Sequence, residues 1–486
     1  MRILYLDIDT LRADHLGCYG YLRDTSPNLD RIAAQGVRLE NCYVSDAPCL
    51  PSRASTFMGR FGIHTGVVNH GGLCADLRPI GRQRGFNWMR QRPGLVWTLR
   101  RQGLYPVSVS PYAERHSAWW FCDGWREMIN PGKCGNESAE EVFPHALDWI
   151  DRNAEKDDWL LHVNCWDPHT PYRAPEEFGN PFAEEPMETW YTEELRRRQW
   201  DGFGPGGPQE PAGNYGQPVN SPRQGDQVAG MDDYRQWIDG YDCGIGYADE
   251  WCGRVLDALA DKGVLDDTVV IITSDHGEGM GELGVIGDHA VADHSVSRVP
   301  MIVRWPGVGQ AGRVDTALHY QTDVAATIIE LAGGEVPASW DGRSFADAFR
   351  AGESRGRDDL VVSQCCWSCM RSVRWDEWLF CRSYHTGLKN YPARMLFNLA
   401  DDPHELNDLA EADPALADHG QALLEQWTAE MMAAGEQAED PLWTVLREGG
   451  PYHTRGRLAD YCRRLRDTGR GRHADFLEAN PTGITE

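Results

Sequence analysis

The residue types best suited to chemistry meet in Cys49-Leu50-Pro51-Ser52-Arg53. Pro51 suits the first turn of a helix, where no amide donor is needed, and Ala54 to Met58 continue the helical pattern. Cys49 then stands at a helix N-terminus, where free amides and the helix dipole favour negative charge, with Arg53 one turn further on. The combination reads as a nucleophile facing a bound anion. Acids and imidazoles recur at comparable places. Residues 2–9 read as a buried strand that delivers Asp7 and Asp9 to one face at its C-terminal edge, because residues two apart point the same way. Arg115 and His116 follow a short strand at 104–110. His169 follows the apolar run 159–166 and lies between Pro168 and Pro171, which restrict its backbone. Asp275-His276 ends the apolar strand 268–274, and His70 sits in a loop beyond the cysteine motif.

Five strand ends therefore deliver Asp9, Cys49, His116, His169 and Asp275-His276. That requires a doubly wound α/β fold, in which ligands gather at the carboxyl edge of the sheet. Helical patterns at 25–36, 95–102, 146–152 and 231–262 supply the covering layers. From about residue 359 the pattern changes to short strands, which places a catalytic domain at 1–355 and a C-terminal subdomain with a helical tail at 356–486. Residues 174–227, rich in Gly, Pro, Gln and acids, read as a lid or binding insertion. Trp190, Tyr191, Trp200 and Tyr215 within it are suited to stacking on a ligand. Residues 436–486 read as a helical surface appendage.

At 486 residues, 41% hydrophobic and 25% charged, the chain is long enough for a large globular core. Its net charge of -27 repels nucleic acid and anionic membranes, so an anionic substrate must be met by a local pocket. The opening residues show no signal-peptide pattern and no apolar run reaches membrane-spanning length, so the expectation is a cytoplasmic protein. The 14 cysteines are scattered without a disulfide framework. Cys366-Trp-Ser-Cys369 has redox-motif spacing without a partner pair. Gly279 to Gly284 satisfies G-x-G-x-x-G but opens no helix, which argues against a dinucleotide site.

Cys-x-Pro-Ser-Arg resembles the signature of type I sulfatases, in the alkaline phosphatase superfamily, whose cysteine is converted to formylglycine. Asp9-Thr-Leu-Arg-Ala-Asp14, Asp167-Pro-His169, Asp275-His276-Gly-Glu278, Arg298-Val-Pro-Met-Ile-Val-Arg-Trp-Pro-Gly307 and Met395 to Leu409 resemble further family segments in the right order, over about residues 1–415. The resemblance implies a large mixed sheet flanked by helices, with a smaller C-terminal antiparallel sheet. It implies a divalent metal held by Asp9, Asp275, His276 and the residue at 49, with Asp7 a further ligand; oxygen donors suit calcium or magnesium, and an imidazole also admits manganese or zinc. It implies catalytic roles for Arg53, His116, His169 and His289, and substrate contacts from Arg115, His70 and His294. Many sulfatases carry a sulfate-contacting lysine near 289; this chain has none, and His289 falls nearest by spacing, with His294 the alternative. The activity implied is hydrolysis of a small sulfated saccharide after maturation by a formylglycine-generating enzyme. A phosphonate monoester or phosphodiester hydrolase using the same aldehyde, and a non-catalytic binding paralogue, are the rivals.

Overall fold

The computed structural model describes residues 1–78, 92–219 and 221–485. Its centre is an eight-stranded sheet in the order Arg313–Tyr320, Val37–Tyr43, Met301–Arg304, Thr268–Thr273, Arg2–Ile8, Trp159–Cys165, Tyr105–Val109 and Glu127–Ile129. Met301–Arg304 pairs antiparallel to both its neighbours, and the other pairings are parallel. The central strands are buried along nearly their whole length, because helices cover both faces. A five-stranded sheet packs beside it in the order Arg394–Asn398, Trp378–His385, Cys369–Trp375, Asp359–Gln364 and Asp46–Ala47. It is antiparallel except where Asp46–Ala47 joins its edge in parallel. This two-residue strand immediately precedes the helix Cys49–Met58, so the second sheet braces the start of that helix.

Two helices show how local sequence sets position. Ala139–Asn153 begins well before the expected 146, despite Pro144, because Ser138 and Glu141 form a capping box that satisfies its first amides. Met231–Asp261 buries one face, including Trp237, Tyr241 and Leu256. Gly240 and Gly244 each cost about 1 kcal/mol of helix propensity. They permit close approach: a Cβ at Gly244 would lie 2.8 Å from Pro168 Cβ, and one at Gly240 2.9 Å from the Tyr172 ring. The helix thus presses directly on the loop that carries His169. Among the described residues, no helix is long and apolar enough to cross a membrane.

The insertion is packed rather than open. Trp190 stacks on His404 at 4.0 Å, Tyr191 on Tyr234 at 4.1 Å, and Tyr215 meets Tyr461 edge-on at 5.9 Å. Trp200 lies under Arg196. These rings already have protein partners, which compete with the ligand-stacking role expected for them. The tail is helical at Pro441–Arg447, Leu458–Asp467 and Gly471–Ala479. It is not a mere appendage, because residues between the first two helices reach the cavity described next.

Candidate active site

The parallel strands converge on Arg53, which is 2% exposed. Its Nε and Nη2 donate to the two oxygens of Asp7 at 2.7 and 3.0 Å. Its Nη1 donates to Asp9 at 2.9 Å and to Asp275 at 2.5 Å. The rings of Tyr112 and Trp166 lie 5.0 and 5.7 Å from the guanidinium. Asp7 is completed by His162 Nε2 at 3.4 Å, and Ser108 Oγ meets the other nitrogen of that ring at 3.0 Å. The adjoining backbone is strained: Thr10, a β-branched residue, has φ of 63°. Its amide donates to Asp275 and its hydroxyl to Asp9, which holds it there and aims both carboxylates.

Asp9, Cys49, Asp275 and His276 each place a ligand-type atom within 4.8 Å of the others, all four residues being buried. His276 Nδ1 donates to the Gly277 carbonyl at 2.8 Å, which leaves Nε2 as a lone-pair donor 3.2 Å from Cys49 Sγ. Asp7 lies outside this set, its two oxygens turned to Arg53 and His162. With all three carboxylates ionised, the cluster carries two net negative charges beyond its one guanidinium. Burial, with Asp9 and Asp7 as like charges, pushes the Asp275 carboxyl well above its usual range. Burial opposes ionisation of Asp9 as well, yet Arg53, His169 and His276 hold its carboxyl below the ordinary value. A divalent cation matches this charge and donor set. Burial, Asp9 and Asp275 push the Cys49 thiol well above its ordinary value, so the helix N-terminus does not make it a thiolate.

Beside the cluster opens a cavity of about 800 Å³. Cys49, His70, Arg115, His116, His169 and His289 line it, as the sequence reading required of a substrate pocket. His289 lies with its ring 4.3 Å from that of His276 and 5.8 Å from that of His169, and its Nδ1 is buried without a partner. His116 Nε2 and His70 Nε2 are likewise unpartnered, the two rings 5.1 Å apart. His169 Nδ1 bonds the Thr170 carbonyl, leaving Nε2 free of that bond. Burial drives all these imidazoles toward neutrality, His169 down to about 3. Arg115 lies 4.7 Å over Trp166 and donates to the Gly135 carbonyl. His294 is elsewhere: it begins the short helix His294–Ser297, meets the Tyr43 hydroxyl at 2.9 Å, and does not line the cavity.

Sequence reasoning missed several wall residues. Asp288, Trp367, Tyr452 and His453 line the cavity, and half-exposed Trp119 and Tyr452 stand among its outer residues. Asp288 had a signal, being the acid directly before His289 in an apolar context. Trp367 and His453 had none, because their place depends on long-range packing.

The Sulfatase family model matches residues 2–334, and the model for the C-terminal region of N-sulphoglucosamine sulphohydrolase matches 281–432. The chain is 25% identical to a multifunctional alkaline phosphatase superfamily protein of Trinickia caryophylli, over 85% of this chain and 92% of that protein. A protein solved in complex with its substrate D-glucosamine-2-N,6-O-disulfate superposes with a TM-score of 0.70 at 18% identity, covering 90% of this chain and 99% of that one. The phosphonate monoester hydrolase of Silicibacter pomeroyi does so with a TM-score of 0.66 at 20% identity, over 91% and 97%. With a family model spanning more than half its length and the family's α/β architecture in place, the chain belongs to the sulfatase family of sulfuric ester hydrolases.

Proposed function

We propose that this sulfatase hydrolyses the sulfate ester of a small saccharide, using formylglycine derived from Cys49 and a divalent cation held by Asp9, Asp275 and His276. The observation that carries the reading is the convergence of those donors on Cys49, which itself lines the cavity. The two carboxylates favour calcium or magnesium, and the imidazole also admits manganese or zinc. When bound, the cation supplies Lewis acidity beside residue 49. Formylglycine supplies the nucleophile that a protonated thiol does not, and a formylglycine-generating enzyme is the maturation partner.

The chain's own residues do the rest. Arg53 locks Asp7, Asp9 and Asp275 in place. His169 and His289 are neutral in the free pocket, and an anionic ester beside them raises their proton affinity. One of them, His169 through Nε2 or His289, then protonates the leaving alcohol, while His116 Nε2 accepts the proton released at residue 49. Arg115 and His70 contact the ester. A cavity of about 800 Å³ suits a mono- or oligosaccharide, and a net charge of -27 repels a longer polyanion. The sulfated sugar bound by the solved relative supports the same substrate class. A phosphonate monoester or phosphodiester hydrolase is the second reading, favoured by Asp9-Thr10, which lacks a second adjacent acid, and by the phosphonate hydrolase among its neighbours.

Mass analysis of the tryptic peptide containing Cys49, from active protein matured by a formylglycine-generating enzyme, tests the nucleophile: the aldehyde is expected, and a fully alkylatable thiol refutes it. Cys49→Ala abolishes turnover and leaves the fold intact. Turnover of sulfated disaccharides, a glycosaminoglycan polymer, an aryl sulfate and a phosphonate monoester at equal concentration tests the substrate. Preference for the polymer refutes the size argument, and preference for the phosphonate promotes the second reading.

A further inference from the structure

The segment 448–456 lies beyond both family models, which end at 334 and 432. Yet it is seated on the loop that carries His70. The Glu448 carboxylate accepts the Leu73 amide at 3.0 Å, and Arg455 pairs with Glu448 at 3.3 Å. The Tyr452 ring covers Gly71 so closely that a Cβ there would fall 2.2 Å from it. His453 is fixed on three sides. Its amide donates to the Cys366 carbonyl at 3.0 Å, its carbonyl accepts the Tyr215 hydroxyl at 3.1 Å, and its ring stacks on Trp367 at 4.4 Å with 16° between planes. Its Nε2 lies 2.9 Å from His70 Nδ1. His70 and His453 both line the cavity, and His70 Nε2 is buried without a partner.

We propose that His453 is a positioning residue: its Nε2–H donates to His70 Nδ1, so that His70 keeps its own proton on Nε2 and offers it to the bound ester. The inference rests on the cavity being the catalytic pocket. One proton lies between the two rings, and its placement decides what His70 presents. If His453 donates, His70 Nε2 is a donor; if His70 donates, Nε2 is an acceptor. Sulfate oxygens only accept hydrogen bonds, so only the first arrangement binds them. Both rings are neutral at pH 7, His453 down to about 4 through burial and Arg115, so no second proton blurs the choice.

Three replacements separate the bond from the fold. His453→Phe keeps a flat ring for Trp367 and loses the bond, His453→Gln keeps a donor, and His453→Glu offers only an acceptor. Wild-type turnover of the better substrate among a sulfated disaccharide and an aryl sulfate is the reference, and turnover of neither refutes the proposed function rather than this inference. With wild type active, kcat/KM is expected to fall about tenfold in the Phe variant and further in the Glu variant, with most of the activity kept by Gln. The inhibition constant of inorganic sulfate rises in the same order while melting temperatures stay together. Equal activity of the Phe variant and wild type overturns the proposal. If the Phe variant does not fold, equal losses in the Gln and Glu variants overturn it as well.

Discussion

Arg53→Met tests the electrostatic core, because it keeps much of the side chain's bulk and removes the single positive charge among three buried acids. Four hydrogen bonds to Asp7, Asp9 and Asp275 disappear, and with all three acids ionised the cluster goes from two net negative charges to three. Removing one partner of a buried ion pair costs about 3–5 kcal/mol, because the remaining charge is left uncompensated. Against a total stability of about 5–15 kcal/mol, that is a large fraction. A bound divalent cation offsets the loss only in part. It compensates Asp9 and Asp275, while Asp7 retains only His162 at 3.4 Å. Urea denaturation is therefore expected to show the full loss in chelator and a smaller one with saturating calcium. Asp7→Asn is expected to destabilise wild type, by leaving Arg53 without its two-pronged partner, and to stabilise Arg53→Met, by removing the stranded acid. That sign reversal in a double-mutant cycle identifies the pair as coupled. Arg53→Met as stable as wild type in chelator, or simple additivity with Asp7→Asn, refutes the reasoning.

Asp9→Ala and Asp275→Ala are expected to lose both bound cation and turnover, and Asp7→Asn to keep most of its cation; full metal occupancy in Asp9→Ala by elemental analysis defeats the ligand set. Asp288 faces His289, Lys389 and Glu278, and burial raises its carboxyl to about 7 despite Lys389. The folded state thus holds a proton that the unfolded chain releases near 4, so this group's contribution is present at low pH and lost as pH rises to 7. Asp288→Asn should match wild-type stability below pH 4 and exceed it by about 4 kcal/mol at pH 7 and above, read from denaturation against pH. An unchanged difference across that range discounts the raised carboxyl. Gly244→Ala gains about 1 kcal/mol of helix propensity but drives a methyl into Pro168, so kcat should fall with little change in stability. Undiminished kcat would show that the His169 loop tolerates displacement.

Much of the site was legible because strand ends are local events. An apolar run that stops at an acid or imidazole marks the carboxyl edge of a sheet, and Asp9, His169, Asp275 and His276 all follow such runs. Arg53 across from Asp7 was less legible: the two lie 46 residues apart, and the family resemblance carried Asp7 to the metal. His294 was a product of the same limit, since two histidines near one motif look alike until the backbone turns His289 inward and His294 toward Tyr43. Trp190, Tyr191 and Tyr215 in the insertion looked available because their partners, His404, Tyr234 and Tyr461, lie far along the chain. The His70–His453 bond spans 383 residues and leaves no periodic trace.

The electrostatics of the cavity follow from the chain's overall charge. An anionic ester must enter a protein of net charge -27, yet among the described lining residues Arg115 is the one guanidinium, set against Asp76 and Asp288. Five histidines line the same space, and burial keeps the imidazoles neutral in the free enzyme. Neutral imidazoles offer hydrogen-bond donors without the desolvation cost of fixed cations, which is severe in a buried site. In the proposed reaction His169 and His289 also take up a proton when an anion arrives, so that charge is supplied only with substrate present. A lysine cluster would bind sulfate more strongly and release it more slowly. The histidine wall instead ties both affinity and proton supply to occupancy, which suits a reaction whose product, inorganic sulfate, must leave the pocket that bound the ester.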